Sequence, residues 1–254
     1  ARGLAELGHE VCVLTSQYDP KLAPEESLDG FKVVRVKVAM KLSKGVLMTG
    51  LHTQAKKWIA WADVVNVHMP QFESVVIARL AKRAKKPLVV TYHCDLVMSG
   101  NWFSRLAGWV TTQLGKWTLK RAQVIVQNTL DYAENSAVLK PYLEKVVEVP
   151  TPVDSLDPVP EEAKSFRLRF GLMESDKVLG LAGRVASEKG YEYLAQALPL
   201  VWQKYPSARV VHAGSWKGVI GEETYLAKVE QMIQCFGDKW KSLGFLSDED
   251  FMRF

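Results

Sequence analysis

The sequence predicts an α/β fold of two doubly wound, parallel-sheet bodies of unequal size. Three observations carry this: Val-rich apolar strands alternate with amphipathic helices, a proline cluster interrupts the alternation once, and the pattern then restarts. Buried strands of this kind belong to parallel sheets with helices on both faces. With 254 residues, 48% hydrophobic and 24% charged, there is enough apolar material for two cores, which excludes disorder and fibre.

Residues 1–8 read as the end of an amphipathic helix closed by Gly8, and residues 9–15 as the strand it feeds. A strand–helix–strand unit needs a strand ahead of its helix, so a preceding strand and loop are expected. After a loop rich in Pro, Asp and Glu, residues 31–38 alternate as a strand with one solvated face. A helix through Trp58 and Trp61 leads to strand 63–68, helix 72–84, strand 87–92, the long helix 102–121 and strand 123–127. Short helix 131–139 and strand 145–149 complete a first domain over residues 1–150. Pro150, Pro152, Pro158 and Pro160 then mark a linker over residues 151–160. The second domain, residues 161–254, repeats the pattern with helix 161–170, strand 178–182, helix 191–205, strand 208–213, helix 222–236 and strand 240–245. Ser247 with Asp250 three residues on is an acidic variant of the capping box that starts a last helix. Three strands are about half of an average sheet, so this domain is expected to be truncated.

The excess of 33 basic over 28 acidic residues gives a net charge of +5, a mild bias that suits phosphorylated substrates or an anionic membrane surface. Nucleic acid is not expected as a partner, because the densest basic run, residues 79–86, reads as the wet face of one helix. Cys12, Cys94 and Cys235 are odd in number, far apart and without metal-ligand spacing, which fits a reducing cytosol and no zinc site. No run approaches the roughly twenty apolar residues needed to cross a bilayer. Trp102, Phe103, Leu106, Trp109, Val110, Leu114 and Trp117 stripe a helix that also carries Arg105, Lys116 and Lys120. That stripe suits a core helix or an interfacial membrane helix; the core reading is favoured, with peripheral membrane contact the alternative.

Chemistry concentrates in Gly180-Leu181-Ala182-Gly183-Arg184-Val185-Ala186-Ser187-Glu188-Lys189-Gly190, which follows a strand and opens a helix. Gly183 allows a sharp turn, while Arg184, Lys189 and unpaired amides at the helix start suit a doubly charged diphosphate. In open parallel sheets ligands gather at the carboxyl ends of strands, where His68, His93, Asp95, Arg184 and Gly214 also fall. The two histidines end consecutive strands.

Thr91-Tyr92-His93, Val65-Asn66-Val67-His68, the interdomain Val149-Pro150-Thr151-Pro152-Val153-Asp154, the Gly183 to Gly190 loop and Leu243-Gly244-Phe245-Leu246-Ser247 occur in an order that resembles the family 4 retaining glycosyltransferases. The resemblance runs from Leu4-Ala5-Glu6-Leu7-Gly8-His9-Glu10-Val11 to the last helix and implies the GT-B fold. It implies an N-terminal acceptor domain, a C-terminal nucleotide-sugar domain and a cleft between them. Arg184 and Lys189 would grip the donor diphosphate, Gly183 and Gly190 would permit close approach, and Glu188 and Gly214 would belong to the donor pocket. Gly244, Phe245 and Leu246 would meet the base through their backbone, and His93 would position donor and acceptor. His68 and Asp95 would line the acceptor side.

The implied activity is transfer of a hexose from a nucleoside diphosphate to a hydroxyl of a glycan, lipid-linked or small-molecule acceptor, with retention, no cofactor and no metal ion. A cytoplasmic enzyme is expected, peripheral at most on the inner membrane face. The family's first glycine-rich loop and its paired glutamates have no counterpart within these 254 residues, so this chain by itself is expected to be inactive. Thr151-Pro152 stands where many relatives have Asn-Gly, which alters the hinge turn. Sugar-nucleotide epimerase and catalytically inactive sugar-nucleotide binder are the rival readings; the epimerase needs cleft carboxylates, and Asp95 is the one candidate.

Overall fold

Apolar periodicity that switches between two and 3.6 residues sets strands against helices throughout, and the computed structural model describes residues 1–42, 45–96, 102–152, 160–219 and 221–254. The chain divides into two units, Ala1–Pro152 and Val153–Phe254. Most of the expected linker, residues 153–159, lies outside the described residues.

In the first unit, helix α1 (Arg2–Glu6) leads to β1 (Cys12–Gln17), which pairs in parallel with β3 (Phe31–Leu42). β1 starts later than expected because the C-terminal turn of α1 takes up the intervening chain: Gly8 is left-handed at φ 88° and His9 N–H donates to Leu4 O. β2 (Glu25–Leu28) and β4 (Gly45–Met48) both run antiparallel to β3. The expectation of purely parallel sheets is therefore corrected here. Asp29 and Gly30, both at positive φ, close the β2–β3 hairpin in two residues, the turn chemistry that such hairpins select.

A second, wholly parallel sheet has the order β5 (Val65–Met69), β6 (Leu88–Tyr92), β7 (Val124–Gln127), β8 (Val146–Glu148). Val65, Val67, Met69, Val90, Tyr92 and Ile125 pack against Ala55 and Ile59 of α2 (Leu51–Trp61), Ala78 and Ala81 of α3 (Ser74–Arg83), and Leu119 of α4 (Trp102–Arg121). The alternation in β5 leaves Asn66 and His68 on the exposed side. Gly115 lets α4 lie close to the sheet, since a Cβ there would meet Met69 Cε at 2.8 Å. α5 (Leu130–Asn135) is shorter than expected; Ser136 breaks it, and a 3₁₀ segment over Lys140–Lys145 follows.

The core reading of α4 holds for its C-terminal half, where Thr118 and Leu119 are fully buried and Trp117 packs on the core. It fails for the first two turns: Trp102 is 75% and Trp109 61% exposed. Among the described residues no helix is long and apolar enough to cross a membrane.

The second unit holds α6 (Pro160–Arg169) and a parallel sheet of order β11 (Trp240–Gly244), β10 (Ala208–Ala213), β9 (Lys177–Ala182). Its core joins Leu198 of α7 (Tyr191–Lys204), Val210 of β10 and Val229 of α8 (Glu223–Ile233). α9 (Asp248–Arg253) is capped as expected, with Ser247 Oγ accepting from Asp250 N–H at 3.2 Å.

Leu119→Ala should destabilise the first unit by about 2–5 kcal/mol in denaturant unfolding, because the site is closed on all sides. Trp109→Ala should change stability by less than about 0.5 kcal/mol.

Candidate functional site

Three parallel strands of the second unit end in glycine at adjacent positions: Gly183 after β9, Gly214 after β10 and Gly244 of β11. All three have φ between 71° and 145°, which side chains resist. Their backbones are bonded in a row, Gly183 N–H to Ala213 O at 2.8 Å and Gly214 N–H to Gly244 O at 2.7 Å. A Cβ on Gly214 would sit 2.2 Å from Gly183 O, so only glycine fits. The strand ends thus present bare backbone where ligands bind in open parallel sheets.

Arg184 leaves this row and ion-pairs with Glu188 at 2.9 Å, both side chains about half exposed. That bond holds the Glu188 carboxyl below its ordinary range. The cation expected to await a diphosphate is thus already neutralised, and an anion must displace Glu188 to use it. Glu188 and Lys189 lie in one 3₁₀ turn, Ser187–Lys189, with Lys189 exposed. The helix starts where expected: α7 begins at Tyr191 behind Gly190, left-handed at φ 68°, so the 3₁₀ turn separates it from Arg184. Phe245 is 86% exposed beyond β11, and Leu246 beside it is half-buried.

Sequence reasoning missed four groups here. Glu222 accepts from Ser187 N–H at 3.0 Å. Buried His212 reaches Gly183 O at 2.7 Å and Ser242 Oγ at 3.1 Å, while Tyr191 OH donates to the same carbonyl at 3.1 Å. None of these has a motif; their roles follow from strand register and loop closure.

In the first unit His68 Nδ1 and His93 Nε2 are 2.9 Å apart with the rings stacked. Burial, then the neighbouring His93, pushes the His68 imidazole below its ordinary range. One hydrogen lies between two nitrogens, so one ring donates while the other stays neutral to accept. Asp95, expected to line the acceptor side, has its carboxylate engaged in hydrogen bonds. Its Oδ1 accepts from Tyr92 OH at 2.9 Å and Ser136 Oγ at 2.6 Å, and its N–H donates to Tyr132 OH at 2.6 Å. These bonds anchor the turn that carries His93. Gln127, 2% exposed at the end of β7, has an amide nitrogen without an acceptor among the described residues.

Histidine titration by NMR should find His68 charging below the usual imidazole value, and His93→Ala should raise it by removing the like charge. Because folding favours neutral His68, this contribution to stability is present above about pH 6.5 and declines as pH falls below it. Gly214→Ala should cost about 2 kcal/mol more in unfolding than Gly218→Ala, which has positive φ but open space.

The profile of the glycosyl transferase 4-like domain matches residues 1–152. The 2-deoxystreptamine glucosyltransferase of Streptomyces kanamyceticus is 28% identical over 280 residues, covering 98% of this chain and 69% of that protein. The phosphatidyl-myo-inositol mannosyltransferase of Mycolicibacterium smegmatis is 24% identical over 218 residues, covering 84% of this chain and 53% of the relative. The crystal structure of Anabaena HepE with UDP and glucose superposes with a TM-score of 0.63 at 19% identity, over 89% of this chain and 58% of that one. A glycosyltransferase from Rickettsia africae gives a TM-score of 0.62 at 16% identity, over 100% of this chain and 64% of its own. The chain spans between 53% and 69% of the length of these proteins, and the structural likeness is one of fold. With more than half of its residues matched by the family profile, the chain belongs to the glycosyl transferase 4-like family.

Proposed function

We propose that this chain supplies the acceptor and donor units of a retaining, metal-independent hexosyltransferase that uses a nucleoside-diphosphate sugar. The observation that carries the reading is the row of strand-end glycines with Arg184 beside it, a bare backbone shelf with a cation at the point where diphosphates bind in such sheets. Relatives whose names record glucosyl, N-acetylglucosaminyl and mannosyl transfer support a hexose donor.

In the proposed reaction the acceptor oxygen bonds to the anomeric carbon as the bond from that carbon to the diphosphate oxygen breaks. The acceptor proton passes to the departing phosphate oxygen on the same face, so no separate carboxylate base is required. Charge grows on the diphosphate while the sugar becomes oxocarbenium-like, and Arg184 with Lys189 stabilises the first of these. His93, tied to His68, orients the acceptor hydroxyl. Asp95 is bound by Tyr92 and Ser136, which disfavours the epimerase reading because its carboxylate is engaged. The half-exposed Arg184–Glu188 pair acts as a placeholder that the diphosphate replaces. A lipid-linked acceptor would suit the exposed Trp102, Phe103 and Trp109, with the protein resting on the cytoplasmic membrane face.

A screen of common sugar nucleotides in the full-length protein identifies the donor, and NMR of the product's anomeric proton reports retention. Arg184→Ala should lower turnover by about 10²–10³-fold, with unfolding shifted by less than about 0.5 kcal/mol. Unchanged turnover in that variant, an inverted product, or loss of activity on chelation would each contradict the corresponding part of the reading.

A further inference from the structure

The Gly183 carbonyl is held by two buried side chains. His212 Nε2 lies 2.7 Å from it and Tyr191 OH 3.1 Å. A carbonyl only accepts, so Nε2 carries the proton, and Nδ1 accepts from Ser242 Oγ at 3.1 Å. His212 has no exposed surface and is wedged between the rings of Tyr191 and Trp216, with centroids 5.4 and 5.2 Å away. Gly214 leaves the room that brings the carbonyl this close.

Carbonyl and N–H of one trans peptide point in opposite directions. Turning Gly183 O toward His212 and Tyr191 therefore turns the Arg184 N–H away from the core. The flanking amides are committed, Gly183 N–H to Ala213 O and Val185 N–H to Ser215 O at 3.0 Å. Among the described residues no acceptor takes the Arg184 N–H. We infer that His212, with Tyr191, is a positioning residue that fixes the Gly183–Arg184 peptide so that the Arg184 backbone N–H joins its guanidinium as a donor to the diphosphate. This rests on the diphosphate reading of the loop and adds to it a second donor and the side chains that aim it.

The test uses the ¹⁵N-labelled 254-residue chain with inorganic pyrophosphate as the probe, followed through the Arg184 amide resonance. In the wild type that resonance should be among the most shifted at saturation. His212→Phe, which keeps a ring and loses both nitrogens, should weaken pyrophosphate binding about tenfold and abolish the Arg184 shift; His212→Gln, whose amide can donate to the same carbonyl, should recover affinity to within about twofold. Tyr191→Phe should weaken binding about threefold. Should His212→Phe fail to fold, the Gln and Tyr191 variants decide the matter by the Arg184 shift. Wild-type affinity and shift in a folded His212→Phe or in Tyr191→Phe would overturn this inference while leaving Arg184→Ala to judge the diphosphate reading. A wild type that does not bind pyrophosphate, or binds it with an unmoved Arg184 amide, would overturn it as well.

Discussion

The Gly183 carbonyl, drawn into the second unit by His212 and Tyr191, is the constraint on which the rest of that unit's site depends. A peptide plane has one free choice at this point, which face its carbonyl takes, and burying a carbonyl without partners would be costly. Two donors settle the choice. Gly214 must then be bare for the carbonyl to fit, Gly183 must adopt φ 145°, and Arg184 leaves the sheet in a fixed direction. In the proposed reading, backbone geometry and not the cation alone suits the strand ends to an anion.

The charged groups around that point are balanced rather than purely positive. Glu188 pairs with Arg184, and Glu222 takes the Ser187 N–H, so the loop has a defined conformation without any ligand. Half-exposed ion pairs of this kind contribute roughly 0–1 kcal/mol, little enough for a diphosphate to displace one partner. The first unit follows the same logic with hydrogen bonds in place of an ion pair. Tyr92, Ser136 and Tyr132 fasten Asp95, and Asp95 fastens the turn that holds His93 against His68.

Much of this was legible in the residues. Strand–helix alternation located the parallel strands to within a few positions, and the Gly183-Arg184 to Lys189-Gly190 spacing marked the loop. What escaped did so for physical reasons. β2 carries Glu25 and Glu26, a composition that reads as loop, although Asp29-Gly30 advertised the hairpin. His212 looked like an ordinary strand residue because its partner, Gly183, is 29 positions away and is reached only through the β9–β10 pairing. The partner that engages Asp95 could not be read along the chain, because Ser136 lies 41 residues on. The tryptophan stripe of α4 has one period along its length, yet only its second half meets the core.

The decisive measurement is a structure of this chain with a nucleoside diphosphate bound. A phosphate oxygen should lie about 3 Å from both the Arg184 guanidinium and the Arg184 backbone nitrogen, with Glu188 released and the Gly183 carbonyl still on His212. A diphosphate bound elsewhere, with the Arg184–Glu188 pair intact, would contradict this arrangement.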